Sequence, residues 1–262
     1  MGASKGVMCA LPAKLSPVEI SGLLMLAGIT IPIWLCLALP NWSWLSYAIY
    51  MTSYIVAIAI LGIEHRKLPL ILPLGFAVGL AFEILGISTG LPFGRYRYVA
   101  LDSARLMGVP IAVPVMWGIF SALAYLAARP FASGVKLVLL ASSLMVVLDL
   151  ALDPAMISWQ AWVWEGGWGP WWQGVPLSNF AGWFLVSATV LSLYEVALRG
   201  SGPEYKFFTA MYIYNLSLQA LLAPGDAGFL ALSLGITLLG LAYVISHRHV
   251  QQAPLAPSAT EA

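Results

Sequence analysis

The sequence predicts an all-α, polytopic integral membrane helical bundle with about eight transmembrane helices, and three observations carry that prediction. Of 262 residues, 61% are hydrophobic and only 9% are charged, against roughly 45–50% and 25% in a soluble domain, so the charges cannot cover a water-exposed surface. Apolar runs follow one another along the whole chain, each near the roughly 20 residues that cross the hydrocarbon core. Lys and Arg gather in alternate connections, the asymmetry that orients membrane helices.

A polar leader bearing Lys5, Cys9 and Lys14 precedes the first run, 18–39. Its apolar stretch Ile20–Leu39 exceeds the roughly 7–15 residues of a signal-peptide core and reads as a spanning helix. Runs at 43–63, 68–88, 107–128, 135–152, 177–198, 206–223 and 227–246 supply the other seven. With the N-terminus inside, Lys5, Lys14, Arg66, Lys67, Arg129, Lys136, Arg199, Lys206 and Arg248 fall on the cytoplasmic side, and Arg95, Arg97 and Arg105 outside. This predicts an N-in/C-in topology in the cell (inner) membrane. The connections 89–106 and 153–176 then lie outside. Rich in Gly and aromatics, they suit folding back over the helix ends as a lid. Residues 1–250 read as one transmembrane domain and QQAPLAPSATEA (251–262) as a disordered tail. No internal repeat is evident.

Several function classes drop out. The net charge is +1 and the basic residues are dispersed, which makes no nucleic-acid surface. Cys9 and Cys36 make no disulfide or zinc framework. His65, His247 and His249 fall at inner helix ends, away from the carboxylates that lie in the spans, so no His-ligated metal is expected. There is no phosphate-binding glycine loop, and no lysine lies deep in a helix for a retinal Schiff base.

An ionisable group at mid-membrane costs about 2.5–3.5 kcal/mol on insertion scales and needs a partner or a purpose. Glu83, Asp149, Asp153 and Glu195 fall in or at the ends of spans. Glu83 lies roughly 22 Å along the third helix from the inner side, and Asp149 lies comparably deep on the fifth. In LDLALDP (148–154) the spacing of Asp149 and Asp153 stacks two carboxylates on one helix face, while Pro154 biases Asp153 away from helical geometry. Asn179, Arg95 and Tyr96 come out at a similar depth. On a purely structural reading, Arg95 neutralises an aspartate and Asn179 ties two helices together. Glu195 reads as a solvated pair with Arg199. The crowd of Trp159, Trp162, Trp164, Trp168, Trp171 and Trp172 reads as an interfacial belt or as a binding wall.

The segments FEILGISTGLPFGRYRY (82–98), LDLALDPAM (148–156) and WVWEGGWGPWWQGVPLSNFAGW (162–183) together resemble the membrane carotenoid-biosynthesis family that includes the CruF-type carotenoid 1′,2′-hydratases. They occur in order over roughly half of the chain. The resemblance implies addition of water across the terminal C1′=C2′ double bond of an acyclic ψ-end, as in lycopene or γ-carotene, by a cofactor-independent hydro-lyase.

Such hydration needs an acid to protonate the alkene, a wall that tolerates a tertiary carbocation, and a placed water. An apolar site lets a carboxylic acid keep its proton near neutrality, which makes Asp149 or Asp153 the candidate donor. The other aspartate, or Glu83, is the candidate to orient water and accept its proton. Asn179 and Tyr96 suit holding that water, and the faces of Tyr96, Tyr98, Trp162 or Trp164 suit the cation. Arg95 suits setting carboxylate ionisation, and Glu165 completes the expected substrate- and water-binding group. The expected partners are a carotenoid and membrane lipid, with no metal or cofactor; the oligomeric state is open. Two other readings stay alongside: a carotenoid end-group isomerase using the same cation, and a non-catalytic carotenoid-binding or transport protein.

Overall fold

The computed structural model describes residues 15–39, 43–101 and 103–251. The leader with Cys9, the side chains of His247 and His249, and the expected disordered tail from 252 onward lie outside them. Among the described residues, eight helices of 15 residues or more occupy the eight expected places: α1 (Pro17–Ala38), α2 (Ser43–Leu61), α3 (Ile71–Thr89, after a 3-10 turn at Leu68–Leu70), α4 (Ala112–Ala128), α5 (Gly134–Ser158), α6 (Leu177–Ser192), α7 (Lys206–Ala220) and α8 (Ala227–Gln251). Five stretches of the described residues are long and apolar enough to cross a membrane: Pro17–Ala38, Leu68–Thr89, Gly134–Ser158, Leu177–Ala197 and Ala227–Ser246. The chain is an all-α membrane protein.

Local chemistry sets the helix ends. Ser16 and Glu19 form a reciprocal capping box in front of Pro17, with Ser16 N–H donating to Glu19 Oε2 at 2.8 Å. α4 is buried continuously from Trp117 to Ala128, as a helix apolar on every side must be. It meets α3 through bare backbone: a Cβ on Gly75 would lie 2.5 Å from Gly118 Cα, and one on Gly79 would lie 2.6 Å from Trp117. Small residues thus let these two membrane helices close on each other. The glycine face of α3 then carries Glu83, one turn beyond Gly79, against the same neighbour.

Three expectations are corrected. α5 does not end near 152; it runs through Pro154 to Ser158 with Asp153 in helical register. Membrane helices tolerate an interior proline where neighbours hold the adjoining turns, and Asn179 bonds the side chains of Asp149 and Asp153 in the turns that lead into this one. The fourth helix starts at Ala112 rather than 107, because 105–110 forms a hairpin. Glu195 does not pair with Arg199. α6 passes into a π-turn at Leu193–Ala197, and Arg199 leaves the helix with φ 49°. Glu195 instead faces Arg129 at 3.8 Å and accepts from Gly134 N–H and the Tyr125 hydroxyl.

The two long connections lie at one end of the bundle and are joined. β1 (Arg95–Tyr98) pairs antiparallel with β4 (Trp162–Gly166), setting Tyr96 opposite Trp164 and Tyr98 opposite Trp162. The hairpins β2 (Arg105–Leu106) to β3 (Val109–Pro110) and β5 (Trp171–Trp172) to β6 (Val175–Pro176) follow. Each turns on two residues with positive φ, Met107–Gly108 and Gln173–Gly174, the two-residue turn that suits hairpin twist.

These hairpins expose an internal repeat that the sequence reading missed. α3, β1, β2, β3 and α4 recur as α5, β4, β5, β6 and α6. Gly108 and Gly174, Pro110 and Pro176, and Trp117 and Trp183 all stand 66 positions apart. At that spacing Tyr96 matches Trp162, Tyr98 matches Trp164, and Glu83 matches Asp149. The crossed register of β1 with β4 is what an approximate twofold axis demands, and the Trp117 and Trp183 rings meet at 4.4 Å. Side-chain identity between the halves is low, so only the turns and tryptophans betray the repeat.

Candidate functional site

Under the joined connections lies a cavity of about 770 Å³, within the range of small-molecule sites. Its wall is mostly apolar and aromatic, and Glu83, Asp153 and Asn179 reach it from α3, α5 and α6.

Asn179 Nδ2 donates to Asp149 Oδ2 at 2.7 Å and to Asp153 Oδ2 at 2.6 Å. One amide thereby bridges carboxyls on successive turns of α5. Asp153 also accepts from Trp162 Nε1 at 3.1 Å. Trp164 Nε1 stands near the same carboxyl without closing a hydrogen bond. Asp153 lines the cavity, whereas Asp149 lies wholly buried behind it, its Oδ1 without a partner. Among the described residues, no Lys or Arg forms an ion pair with either aspartate or with Glu83.

Glu83 has a different setting. Its Oε2 accepts from the Tyr96 hydroxyl and, at 2.6 Å, from the Tyr98 hydroxyl; its Oε1 accepts from Trp117 Nε1 at 2.9 Å. Three donors and no competing acceptor hold this carboxyl. Burial, followed by the carboxylate alongside, pushes both β1 phenols well above their ordinary range, which keeps them protonated as donors.

The ribbon builds the aromatic wall by simple alternation. In β1, Arg95 and Arg97 face out while Tyr96 and Tyr98 face in. Tyr96 packs on Trp164 with centroids 5.0 Å apart, and Tyr98 meets Trp162 edge to face at 6.1 Å. The outer face carries the Arg97 to Glu165 pair at 2.7 Å. Gly94 permits the junction: at φ 116° it passes so close to β4 that a Cβ would lie 2.5 Å from Gly166 O.

Thus Glu83, Asp153, Asn179, Tyr96, Tyr98, Trp162 and Trp164 of the expected set surround one cavity, with Asp149 directly behind. Arg95 and Glu165 do not line it. The expected ionic role of Arg95 is corrected because strand alternation turns its side chain outward. Sequence reasoning missed Trp117, the third donor to Glu83, together with Phe93 and Trp183 in the wall. The signal for Trp117 was the Gly75, Gly79, Glu83 face of α3, which announces a close neighbour at carboxylate depth. Two carboxyl centres beside an apolar, aromatic chamber can give a proton to, and take one from, a water-insoluble molecule.

The family model described as "Carotenoid biosynthesis protein" matches residues 20–242. A bisanhydrobacterioruberin hydratase from Haloarcula japonica is 32% identical over 127 residues, covering 46% of this chain and 42% of that protein. The matched region therefore spans less than half of that relative. No solved structure matches.

Proposed function

Because this chain belongs to the carotenoid biosynthesis protein family, we propose that it is a carotenoid hydratase that adds water to the terminal C1′=C2′ double bond of an acyclic end group. The observation that carries the reading is the arrangement of Asp153. It faces the cavity, is gripped by Asn179 and Trp162, and has no cation paired with it among the described residues. Similarity to a hydratase supports the same reaction class.

In this mechanism Asp153 gives its proton to C2′, forming the C–H bond and leaving a tertiary cation at C1′. The faces of Tyr96, Tyr98, Trp162 and Trp164 stabilise that charge without offering a nucleophile, a contact worth up to about 2 kcal/mol when desolvated. Water held at Glu83 attacks C1′, and Glu83 takes the proton released as the C–O bond closes. One proton enters the product and one is recovered, so exchange with water restores both carboxyls. No electrons are transferred, and the step needs no redox cofactor. Asp149 acts through Asn179 as a positioning residue for Asp153.

The chain length of the substrate fits the location. A C40 polyene is comparable to the roughly 30 Å hydrocarbon core, so its tip reaches the end of the bundle where water is at hand. With N-in/C-in topology, supported by Lys67 and Arg129 at the opposite end, the chamber lies towards the outer face of the cell membrane.

The test is expression in a bacterium that accumulates lycopene or γ-carotene, with pigments separated and weighed by mass spectrometry. A product heavier by one water, absent with Asp153→Asn, is the expected result. Unchanged pigment despite confirmed membrane expression would overturn the reading, and a rearranged pigment of unchanged mass would replace it with isomerisation.

A further inference from the structure

A second, smaller cavity of about 100 Å³ adjoins the first. The two share Cys36, Met116, Phe120, Leu152 and Met156 in their walls. From that junction the smaller one follows α1 past Ile33 and Pro32 to Ile29, a descent of roughly 10 Å towards the middle of the helix. We propose that this cavity is the passage for the polyene, which runs along α1 while its end group sits at Asp153. The inference rests on the hydratase reading and adds the route by which the substrate lies.

Three observations support it. The smaller cavity shares a wall with the acid chamber and leads away from the wet end of the bundle, the direction a long apolar chain must take. Its α1 side is aliphatic: Ile29 and Ile33 are buried, yet both border empty space. Its outer boundary comes from α1, α2 and α7, which stand outside the internal repeat. The repeat alone has an approximate twofold axis and defines two equivalent approaches; these added helices furnish one of them with a shaped apolar groove. Pro32 lies within that wall. It withholds an amide from the α1 ladder, which lets the helix bend beside the groove.

The remote part of the substrate then contributes binding energy that an isolated end group lacks. Side chains along α1 select for chain length without touching the reacting carbons.

The test compares two substrates on purified protein in lipid nanodiscs: a C40 acyclic carotenoid and a ten-carbon acyclic terpenoid with the same isopropylidene end. Ile33→Trp, which fills the groove, is expected to lower the ratio of C40 to short-substrate turnover by about tenfold or more. Equal loss on both substrates, or no change in the ratio, overturns the passage. The unsubstituted protein runs in parallel; if it hydrates neither substrate, the hydratase reading fails instead. Should Ile33→Trp not accumulate, Ile33→Cys in a Cys9→Ser, Cys36→Ser background provides the second measurement. Bound C40 carotenoid is expected to shield that thiol from a small maleimide, and unchanged labelling overturns the proposal.

Discussion

The Tyr98 hydroxyl donates to Glu83 Oε2 across 2.6 Å, linking the end of β1 to the face of α3. The connection between these residues is thus fastened to the helix from which it departs. The ribbon cannot lift away without stripping a donor from the carboxyl that we assign as base. Tyr98→Phe leaves Tyr96 and Trp117 in place and removes one of three hydrogen bonds. Hydration is expected to fall about tenfold, the kinetic equivalent of one such bond, in initial-rate assays on membranes. Full activity would remove Glu83 from the water-activating role.

The two aspartates should separate kinetically. Asp153→Asn keeps the shape and an acceptor for Trp162 but has no acidic proton, so product should fall by at least about 100-fold, as removal of a general acid does. Asp149→Asn, one layer behind, should retain measurable turnover with an altered pH profile. The comparison is made at equal membrane protein. A silent Asp149→Asn beside an active Asp153→Asn would reverse the assignment.

Asn179→Leu removes the amide that bridges both carboxyls. Two buried acceptors lose a donor, at about 1–3 kcal/mol for each group left unsatisfied. Detergent-solubilised protein should melt at lower temperature and show little hydration. Unchanged melting would mean that water replaces the amide without loss.

Gly94→Ala places a methyl group against the Gly166 carbonyl, in backbone that L side chains rarely adopt. The β1 to β4 seam should open while the helices stay intact. Activity should be lost with helical circular dichroism preserved, and the Trp emission should shift to the red as Trp162 and Trp164 meet water.

The places of the eight helices were legible because apolar length is read directly from composition. The carboxyls were legible because so few charges occur in the spans. The pairing of β1 with β4 was not, although RYRY has the alternation of a half-buried strand, since its partner lies over 60 residues away and four residues give a weak period. The repeat escaped for a related reason. Lipid-facing and buried positions accept many apolar side chains, so the halves preserve their turns and tryptophans while their sequences diverge. Pro154 misled because the rule for soluble helices ignores the neighbour that holds the turn together.

The repeat carries an evolutionary consequence. Glu83 comes from the first unit and the Asp149, Asp153 pair from the second, with the wall shared across the β1 to β4 seam. Neither unit by itself supplies the whole chamber wall or both of the carboxyl centres. An ancestor built from a single such unit would have worked only as a pair of chains, each lending the other its missing half. Fusion into one polypeptide would then leave the two copies free to diverge: Glu83 and Asp149 keep matching places, whereas Asp153 falls where the first unit has Ile87.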